Sequence, residues 1–227
     1  MRKILGSRKS YVVGRKTIIL LITYNLLLMT FLAGCAKREI KNLDSGGKNI
    51  ICFGDSITFG YGVAQGEDYP AVLSKMVQMP VINAGMDGDT SSEALKRIKS
   101  DVLDKDPFLV IVEFAGNDFL EKIPLETTVN NIKEMVKLIQ DRGALVAVVD
   151  ISAGLFLRDY RLAFNRLAKE EGAIFVPSVL SGIITNPSMK SDFIHPNSEG
   201  YKIIAQRVYR TIMPCILKKT CTVPLGK

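Results

Sequence analysis

Five short apolar runs, each separated from the next by a segment with helical periodicity, constrain the fold of this 227-residue chain most strongly. Each run is nearly continuously apolar, as are strands of a parallel sheet that is covered on both faces. The runs are Asn49–Gly54, Val81–Ala84, Phe108–Phe114, Ala144–Ile151 and Ala173–Val176. Their alternation with helices predicts an α/β fold with a doubly wound parallel sheet of five strands and right-handed crossovers.

The segments between the runs carry start and stop signals for helices. Thr90 and Glu93 have the spacing of a capping box, and Gly143 and Gly172 are suitable C-terminal stops. Pro214 is expected to end the last helix, because proline cannot donate the next helical hydrogen bond. The predicted helices are Tyr69–Met79, Ser91–Leu103, Thr127–Asp141, Arg158–Glu171 and Asn197–Met213.

The basic charge of the chain is concentrated at its start. The formal net charge is +7, and residues 1–34 hold six bases and no acid. The rest of the chain is nearly neutral, which gives no support for a nucleic-acid partner. The bases precede an apolar stretch, Thr17–Ala33, as they do in a secretory signal.

Leu32–Cys35 resembles the lipobox of bacterial lipoproteins. The resemblance implies cleavage before Cys35 and acylation of its sulfur, which would anchor the protein to the periplasmic side of the inner or the outer membrane. The alternative is an uncleaved signal-anchor helix. We therefore predict a signal peptide over residues 1–34, a lipidated cysteine with a flexible tether over 35–48, and one folded domain over 49–227.

The remaining cysteines suggest no metal site. Cys215 and Cys221 can close a small disulfide loop outside the cytoplasm, or they can remain free thiols. Cys52 lies within an apolar run, where a small core residue is expected. Neither these cysteines nor the one histidine of the chain has the spacing of metal ligands.

Residues suited to catalysis follow the predicted strands, at the edge where such sheets bind ligands. Ser56 follows the first strand, and a serine hydroxyl needs an adjacent base to act as a nucleophile. His195 is the one histidine in the chain and is therefore the one candidate for an imidazole base. Asp192, three residues earlier, can orient the imidazole and stabilise its protonated form.

Two further loops offer hydrogen-bond donors. Gly85 lacks a Cβ, so its N–H can approach a reacting oxygen closely. The Asn117 side chain can donate as well, and with the Ser56 N–H these groups would form an oxyanion hole. Simple turn formation is the alternative for both Gly85 and Asn117, since glycine and asparagine are frequent in loops.

Four blocks of the sequence resemble, in order, those of the SGNH/GDSL hydrolase family. They are Gly54–Thr58, Asn83–Thr90, Ala115–Asp118 and Asp192–Pro196. Val112–Asp118 is most similar to the bacterial extracytoplasmic thioesterase–lysophospholipase and arylesterase subgroup. Ala115 stands where the family usually has glycine, and its methyl group is expected to tighten the loop that carries Asn117.

The resemblance implies a three-layer flavodoxin-like fold and no metal or organic cofactor. It implies Ser56 as nucleophile, His195 as base and Asp192 as its orienting partner. Gly85 and Asn117 would be the oxyanion donors beside the Ser56 N–H.

We therefore expect a serine esterase, similar to lipases, lysophospholipases and thioesterases, that hydrolyses small-molecule or lipid esters through an acyl-enzyme. An apolar acyl groove is predicted from apolar residues in the strand-end loops, with ordinary core packing as the alternative. The candidate groove residues are Ile57, Phe119, Leu155, Phe156 and Ile183. Other functions stay open, namely an O-acetyl esterase or acyltransferase acting on cell-envelope carbohydrate, and a non-catalytic ligand-binding lipoprotein.

Overall fold

The computed structural model describes residues 39–217. The predicted signal peptide, Cys35 and Cys221 lie outside the described residues. Within residues 39–217, no helix combines the length and the apolar character that crossing a bilayer requires.

A five-stranded parallel sheet forms the centre of the described part, in the order β2-β1-β3-β4-β5. The strands are β1 (Asn49–Gly54), β2 (Val81–Gly85), β3 (Pro107–Glu113), β4 (Leu145–Val149) and β5 (Ile174–Val176). Strands β1, β3 and β4 are almost completely buried because helices cover both faces of the sheet. The predicted five parallel strands and flavodoxin-like order are confirmed.

Seven α-helices are described. They are α1 (Ser56–Phe59), α2 (Tyr69–Val77), α3 (Ser91–Ile98), α4 (Gly116–Leu120), α5 (Leu125–Asp141), α6 (Arg158–Glu171) and α7 (Ser198–Ile216). A π-helical segment, Lys99–Leu103, continues α3, and a 3-10 turn covers Pro187–Met189. Helix α2 packs against α7, whereas α5 packs against both α3 and α6. The sheet thus lies between two helical layers, as predicted.

Three local expectations have clear outcomes. The capping box of Thr90 and Glu93 is present at the start of α3. Pro214 does not end the last helix, which continues to Ile216, because a proline near the end of a helix removes only one of its last hydrogen bonds. Cys52 is fully buried in the core, as predicted.

Cys215 is disulfide-bonded, and its pairing with Cys221 stays a prediction.

The segment from residue 39 to residue 48 is not the flexible tether that its polar composition predicted. The Ile40 side chain is buried in the core, and the Lys41 N–H donates to the Gly172 carbonyl at 2.9 Å. The Asn42 amide donates to the carbonyls of Gln140 and Ala144, both at 2.9 Å. These acceptors lie just before β4 and β5, so the segment packs at the amino ends of the strands.

Candidate active site

The carboxyl end of β1 carries Ser56 on a sharp turn into α1. The Asp55 side chain caps this helix by accepting from the Ile57 N–H at 3.0 Å. Gly54 is required before this turn, since a Cβ there would lie 2.1 Å from Thr58 Oγ1 and 2.6 Å from the Glu113 carbonyl oxygen. Ser56 is therefore held as the first residue of α1, with 8% of its surface exposed.

His195 reaches Ser56 from the loop that precedes α7. Its Nε2 lies 3.1 Å from Ser56 Oγ, and its Nδ1 lies 2.7 Å from Asp192 Oδ2. The other oxygen of Asp192 accepts from the N–H groups of Ile194 and His195 at 2.9 Å and 2.8 Å. Burial raises the pKa of Asp192, but the hydrogen bonds from the His195 ring and from these N–H groups outweigh this effect and hold its pKa at about 2. The structure thus brings the three predicted residues into one hydrogen-bonded row.

Tyr61 packs against the histidine and was not anticipated from the sequence. Its ring lies 4.4 Å from the His195 ring, centroid to centroid, at a tilt of 36°. The Tyr201 hydroxyl donates to the Tyr61 carbonyl at 3.1 Å and ties this loop to α7. The nearest sequence signal was Gly60, whose left-handed conformation ends α1 and directs the chain toward the histidine loop.

Asn117 lies in the first turn of α4, at the carboxyl end of β3. One hydrogen of its side-chain amide is donated to the Asp89 carbonyl at 2.9 Å, which leaves the second hydrogen for another acceptor. The preceding Ala115 has a φ of 142°, in a region that favours glycine. This value explains why the substitution of alanine for the family's usual glycine puts local strain into the loop.

The N–H of Gly85, which the sequence predicted as an oxyanion donor, already has an acceptor within its own strand. Its N–H donates to Asn83 Oδ1 at 2.9 Å and is therefore already used. It also lines a separate cavity beside Phe59 and Asp68, not the groove at Ser56. Gly88 is connected more directly to Asn117, because the next residue, Asp89, accepts from the Asn117 amide through its carbonyl. The Asp89 N–H closes the turn that contains Gly88 by donating to the Met86 carbonyl at 3.3 Å.

Two buried carboxyl groups lie behind Ser56, and neither was anticipated from the sequence. Glu113 Oε2 accepts from Thr58 Oγ1 at 2.8 Å, while Oε1 is buried without a hydrogen-bond partner. Burial and the adjacent Asp55 raise the pKa of Glu113 well above its usual value. Burial likewise raises the pKa of Asp55 from 3.8 to about 7, although the hydrogen bond from the Ile57 N–H lowers it. The pair therefore retains a proton near neutral pH.

An apolar groove of about 320 Å³ opens beside Ser56 and His195. Its lining residues are Asp55, Ser56, Ile57, Gly116, Asn117, Leu120, Ile151, Phe156, Leu180, Ile184, Ile194 and His195. The groove thus extends away from the serine–histidine contact along mainly aliphatic and aromatic side chains, which suits an acyl chain.

The predicted groove residues have mixed outcomes. Ile57 and Phe156 line the groove. Phe119 lies outside its lining and packs edge-to-face on Phe156 at 5.5 Å between ring centroids. Leu155 is at the tip of a tight turn with 85% of its surface exposed, and Ile183 is fully buried in the core. Sequence could not separate these cases, because the residues in the loops are all apolar and only their directions differ.

Within residues 39–217, no group of three histidine, cysteine, aspartate or glutamate side chains is arranged to hold a metal ion.

Comparison with known proteins agrees with this geometry. The profile of the GDSL-like lipase/acylhydrolase family matches residues 52–203. The chain belongs to this family. It is a GDSL-type ester hydrolase, and the matched span contains Ser56, Asn117, Asp192 and His195.

Among curated relatives of this GDSL-type hydrolase is the thioesterase 1/protease 1/lysophospholipase L1 of Escherichia coli K12. It is 28% identical over 200 residues, which cover 84% of this chain and 90% of the relative. The arylesterase of Vibrio mimicus is 28% identical over 177 residues, with 73% and 88% covered. A shorter match, 31% identical over 106 residues, is to the uncharacterized lipoprotein YqeF of Bacillus subtilis, with 43% and 40% covered.

The fold of the GDSL-type hydrolase is similar to that of solved structures. The crystal structure of TesA superimposes with a TM-score of 0.67 at 27% identity and covers 74% of this chain and 99% of TesA. The resemblance that the four sequence blocks indicated is therefore confirmed at the level of family and fold.

Proposed function

We propose that Ser56, His195 and Asp192 are the catalytic triad of this ester hydrolase. The observation that carries the proposal is the continuous row of hydrogen bonds from Ser56 Oγ through the two ring nitrogens of His195 to Asp192. Ser56 attacks the ester or thioester carbonyl while His195 Nε2 takes its proton. His195 then returns that proton to the leaving alcohol or thiol. In the second half of the reaction, water attacks the acyl-enzyme while His195 takes its proton, and His195 passes that proton to the Ser56 oxygen as the carboxylic acid leaves. The Asp192 carboxylate, with its low pKa, stays ionised and stabilises the imidazolium.

The oxyanion of each tetrahedral intermediate is bound by groups on three loops. The Ser56 N–H begins α1 and has no helical acceptor. Asn117 supplies the second hydrogen of its amide. In place of Gly85 we assign the third donor to the N–H of Gly88, because its turn is attached to Asn117 through the Asp89 carbonyl. One such donor is typically worth about 3 kcal/mol in the transition state.

The substrate of this reaction is a carboxylic ester or thioester with an apolar acyl chain of short or medium length. A cavity of about 320 Å³ accommodates such a chain next to the nucleophile. Lipid esters such as lysophospholipids fit the same chemistry, since the groove contributes apolar contact on the acyl side. The names of the thioesterase/lysophospholipase and arylesterase relatives agree with this substrate class.

We further propose that the protein acts outside the cytoplasm, attached to a membrane through an acylated Cys35. The support is the basic start of the chain, the apolar stretch Thr17–Ala33 and the lipobox-like Leu32–Cys35. A relative described as a lipoprotein is consistent with this location. Residues 1–34 would then be a removed signal peptide, and the folded part would begin a few residues after the acylated cysteine.

The decisive experiment measures hydrolysis of p-nitrophenyl esters, from acetate to palmitate, by the full-length protein in detergent. Ser56→Ala is compared with Ser188→Ala, which replaces an exposed serine outside the groove. We expect turnover that Ser188→Ala retains and Ser56→Ala loses, with an optimum at short or medium chains. Substantial turnover by a folded Ser56→Ala protein would refute the triad. Acyl transfer to an added polyol in preference to water would identify an acyltransferase instead.

A further inference from the structure

Arg97 connects the loops around Ser56, although it lies on α3 and does not line the groove. We propose that Arg97 is a positioning residue that fixes the oxyanion donors relative to Ser56, by tying the ends of β1 and β2 and the side chain of Asp89 into one unit. This inference rests on the proposed roles of Ser56 and Asn117.

The guanidinium of Arg97 makes a separate contact to each part of this unit. Its Nη2 donates to the Gly54 carbonyl at 3.1 Å, and its Nη1 donates to the Ala84 carbonyl at 2.9 Å. Its Nε donates to Asp89 Oδ2. The guanidinium also lies 4.5 Å above the centre of the Phe53 ring, and the side chain is 14% exposed. A buried, forked side chain with these partners holds its neighbours in one geometry.

The contacts of Arg97 continue directly to the reacting groups. Gly54, whose carbonyl it binds, lies two residues before Ser56, and the same carbonyl accepts from the Met86 N–H at 3.0 Å. Asp89, whose carboxylate it binds, accepts from the Asn117 side chain through its own carbonyl at 2.9 Å. A single residue, Gly54, therefore connects Arg97 to the turn that carries Ser56, and a single residue, Asp89, connects it to the Asn117 amide.

Arg97 also has a contact that stays within its own helical segment, formed by α3 and the π-helical turn after it. Its Nη1 donates to Asp101 Oδ2 at 3.0 Å, as an ion pair one helical turn apart. If Arg97 acted only through such contacts, its replacement would lower the free energy of unfolding and leave kcat of the folded protein unchanged. Positioning of the oxyanion donors instead predicts a loss of kcat in the folded protein, since these donors act mainly on the transition state.

The test is a double-mutant cycle of Arg97→Lys and Asn117→Ala in the full-length protein, with steady-state hydrolysis of p-nitrophenyl butyrate as the readout. Lysine keeps the charge but presents a single nitrogen, which cannot replace the fork. Arg142→Lys is the matched control, because Arg142 also donates to a carbonyl, that of Leu103 at 3.0 Å, but on the exposed surface before β3. Thermal melting establishes that each variant is folded in the assay.

We expect Arg97→Lys to lower kcat by about 10- to 100-fold, as misplacement by about 1 Å does, with KM changed less than about twofold. In the Asn117→Ala background the same replacement should lower kcat by clearly less than it does in the wild type, because one of the donors that Arg97 positions is already absent. Arg142→Lys should keep wild-type kinetics. If Arg97→Lys is unfolded at the assay temperature, Asp89→Asn replaces it in the cycle, with the same expectations.

Two results would overturn the proposal while leaving the proposed function intact. The first is a folded Arg97→Lys protein with wild-type kcat. The second is a double mutant in which the fold-losses in kcat of the two single variants multiply fully. An Asn117→Ala variant with wild-type kcat would instead remove the proposed oxyanion role of Asn117, and the positioning role of Arg97 with it.

Discussion

Ser56 lies between two pairs of titratable groups that differ in almost every physical respect. On its open side, His195 and Asp192 line or adjoin the apolar groove, and hydrogen bonds hold the pKa of Asp192 at about 2. On its buried side, Asp55 and Glu113 are almost completely buried, and burial raises the pKa of Asp55 to about 7. The same type of group, a carboxyl, is therefore charged on one side of the nucleophile and retains a proton on the other.

The difference shows that the balance between burial and hydrogen-bond donors, not residue type, decides whether a carboxyl is charged here. Asp192 accepts three hydrogen bonds from Ile194 and His195, which compensate its partial burial. Glu113 is almost completely buried beside Asp55 and accepts one hydrogen bond from the Thr58 hydroxyl, so burial prevails and its neutral form is favoured. We interpret the open side as the catalytic one and the buried side as the support of the turn that carries Ser56.

The largest effect is expected on the open side, from His195→Ala. Without its base, Ser56 is a weak nucleophile, so kcat should fall by at least about 10⁴-fold, and the double variant with Ser56→Ala should be little worse. Single-turnover and steady-state kinetics on p-nitrophenyl butyrate measure this. If the two losses multiplied instead, Ser56 and His195 would not act as one unit and the comparison would fail.

The groove on the open side gives the next effect. Phe156→Ala removes an apolar wall, and kcat/KM for octanoate esters should fall by about tenfold, with acetate esters nearly unaffected, since each buried CH₂ contributes about 0.8 kcal/mol. The adjacent Leu155→Ala is the control, because Leu155 is exposed and does not line the groove. An equal loss for both chain lengths would show that Phe156 supports the fold of the loop and does not contact the acyl chain.

The buried side is tested by Glu113→Gln through the pH dependence of stability. The folded-state pKa values of Asp55 and Glu113 are raised, so the folded protein binds more protons than the unfolded one above about pH 4. The pair's contribution to the free energy of unfolding is therefore complete below that pH and is lost as the pH rises through about 7. Asp192 behaves oppositely, since its depressed pKa makes its contribution present above about pH 4 and lost as the pH falls toward 2.

Urea unfolding between pH 4.5 and pH 7.5 separates these contributions. Glutamine mimics the protonated glutamate and removes the shared proton, so the variant should lose less stability over this range than the wild type, by at least about 1 kcal/mol. The pH profile of kcat should change little. Parallel stability curves for wild type and Glu113→Gln would mean that the buried pair does not hold a proton.

The smallest effect is expected from Ala115→Gly, beside the buried pair. Relief of the positive φ outweighs the added entropy of a glycine in the unfolded chain, so the free energy of unfolding should rise by about 1 kcal/mol. Denaturant unfolding measures this, and activity should stay within about twofold. A loss of stability would indicate that the loop around Asn117 is relaxed with alanine.

Much of the fold and part of the site could be predicted from local signals. The five apolar runs predicted the strands, and the capping box of Thr90 and Glu93 predicted the start of a helix, because such signals depend on neighbouring residues alone. The contact of Ser56 with His195 was expected because the chain has one histidine and strand ends of a parallel sheet meet at one edge. The tether prediction was wrong in residues 39–48, since polar composition does not reveal that Ile40 reaches the core.

The sequence by itself therefore determined the class of fold, the family and the residues able to supply a nucleophile, a base and its partner. Only the tertiary structure decided which N–H groups remain for an oxyanion, which apolar side chains line the groove and which carboxyls are buried. The Gly85 N–H is already used because the side chain of Asn83, two residues earlier, folds back and accepts from it. Glu113 became a buried acid because its strand ends behind Ser56. Both outcomes depend on the directions of side chains across the strand-end loops, and local sequence patterns do not encode those directions.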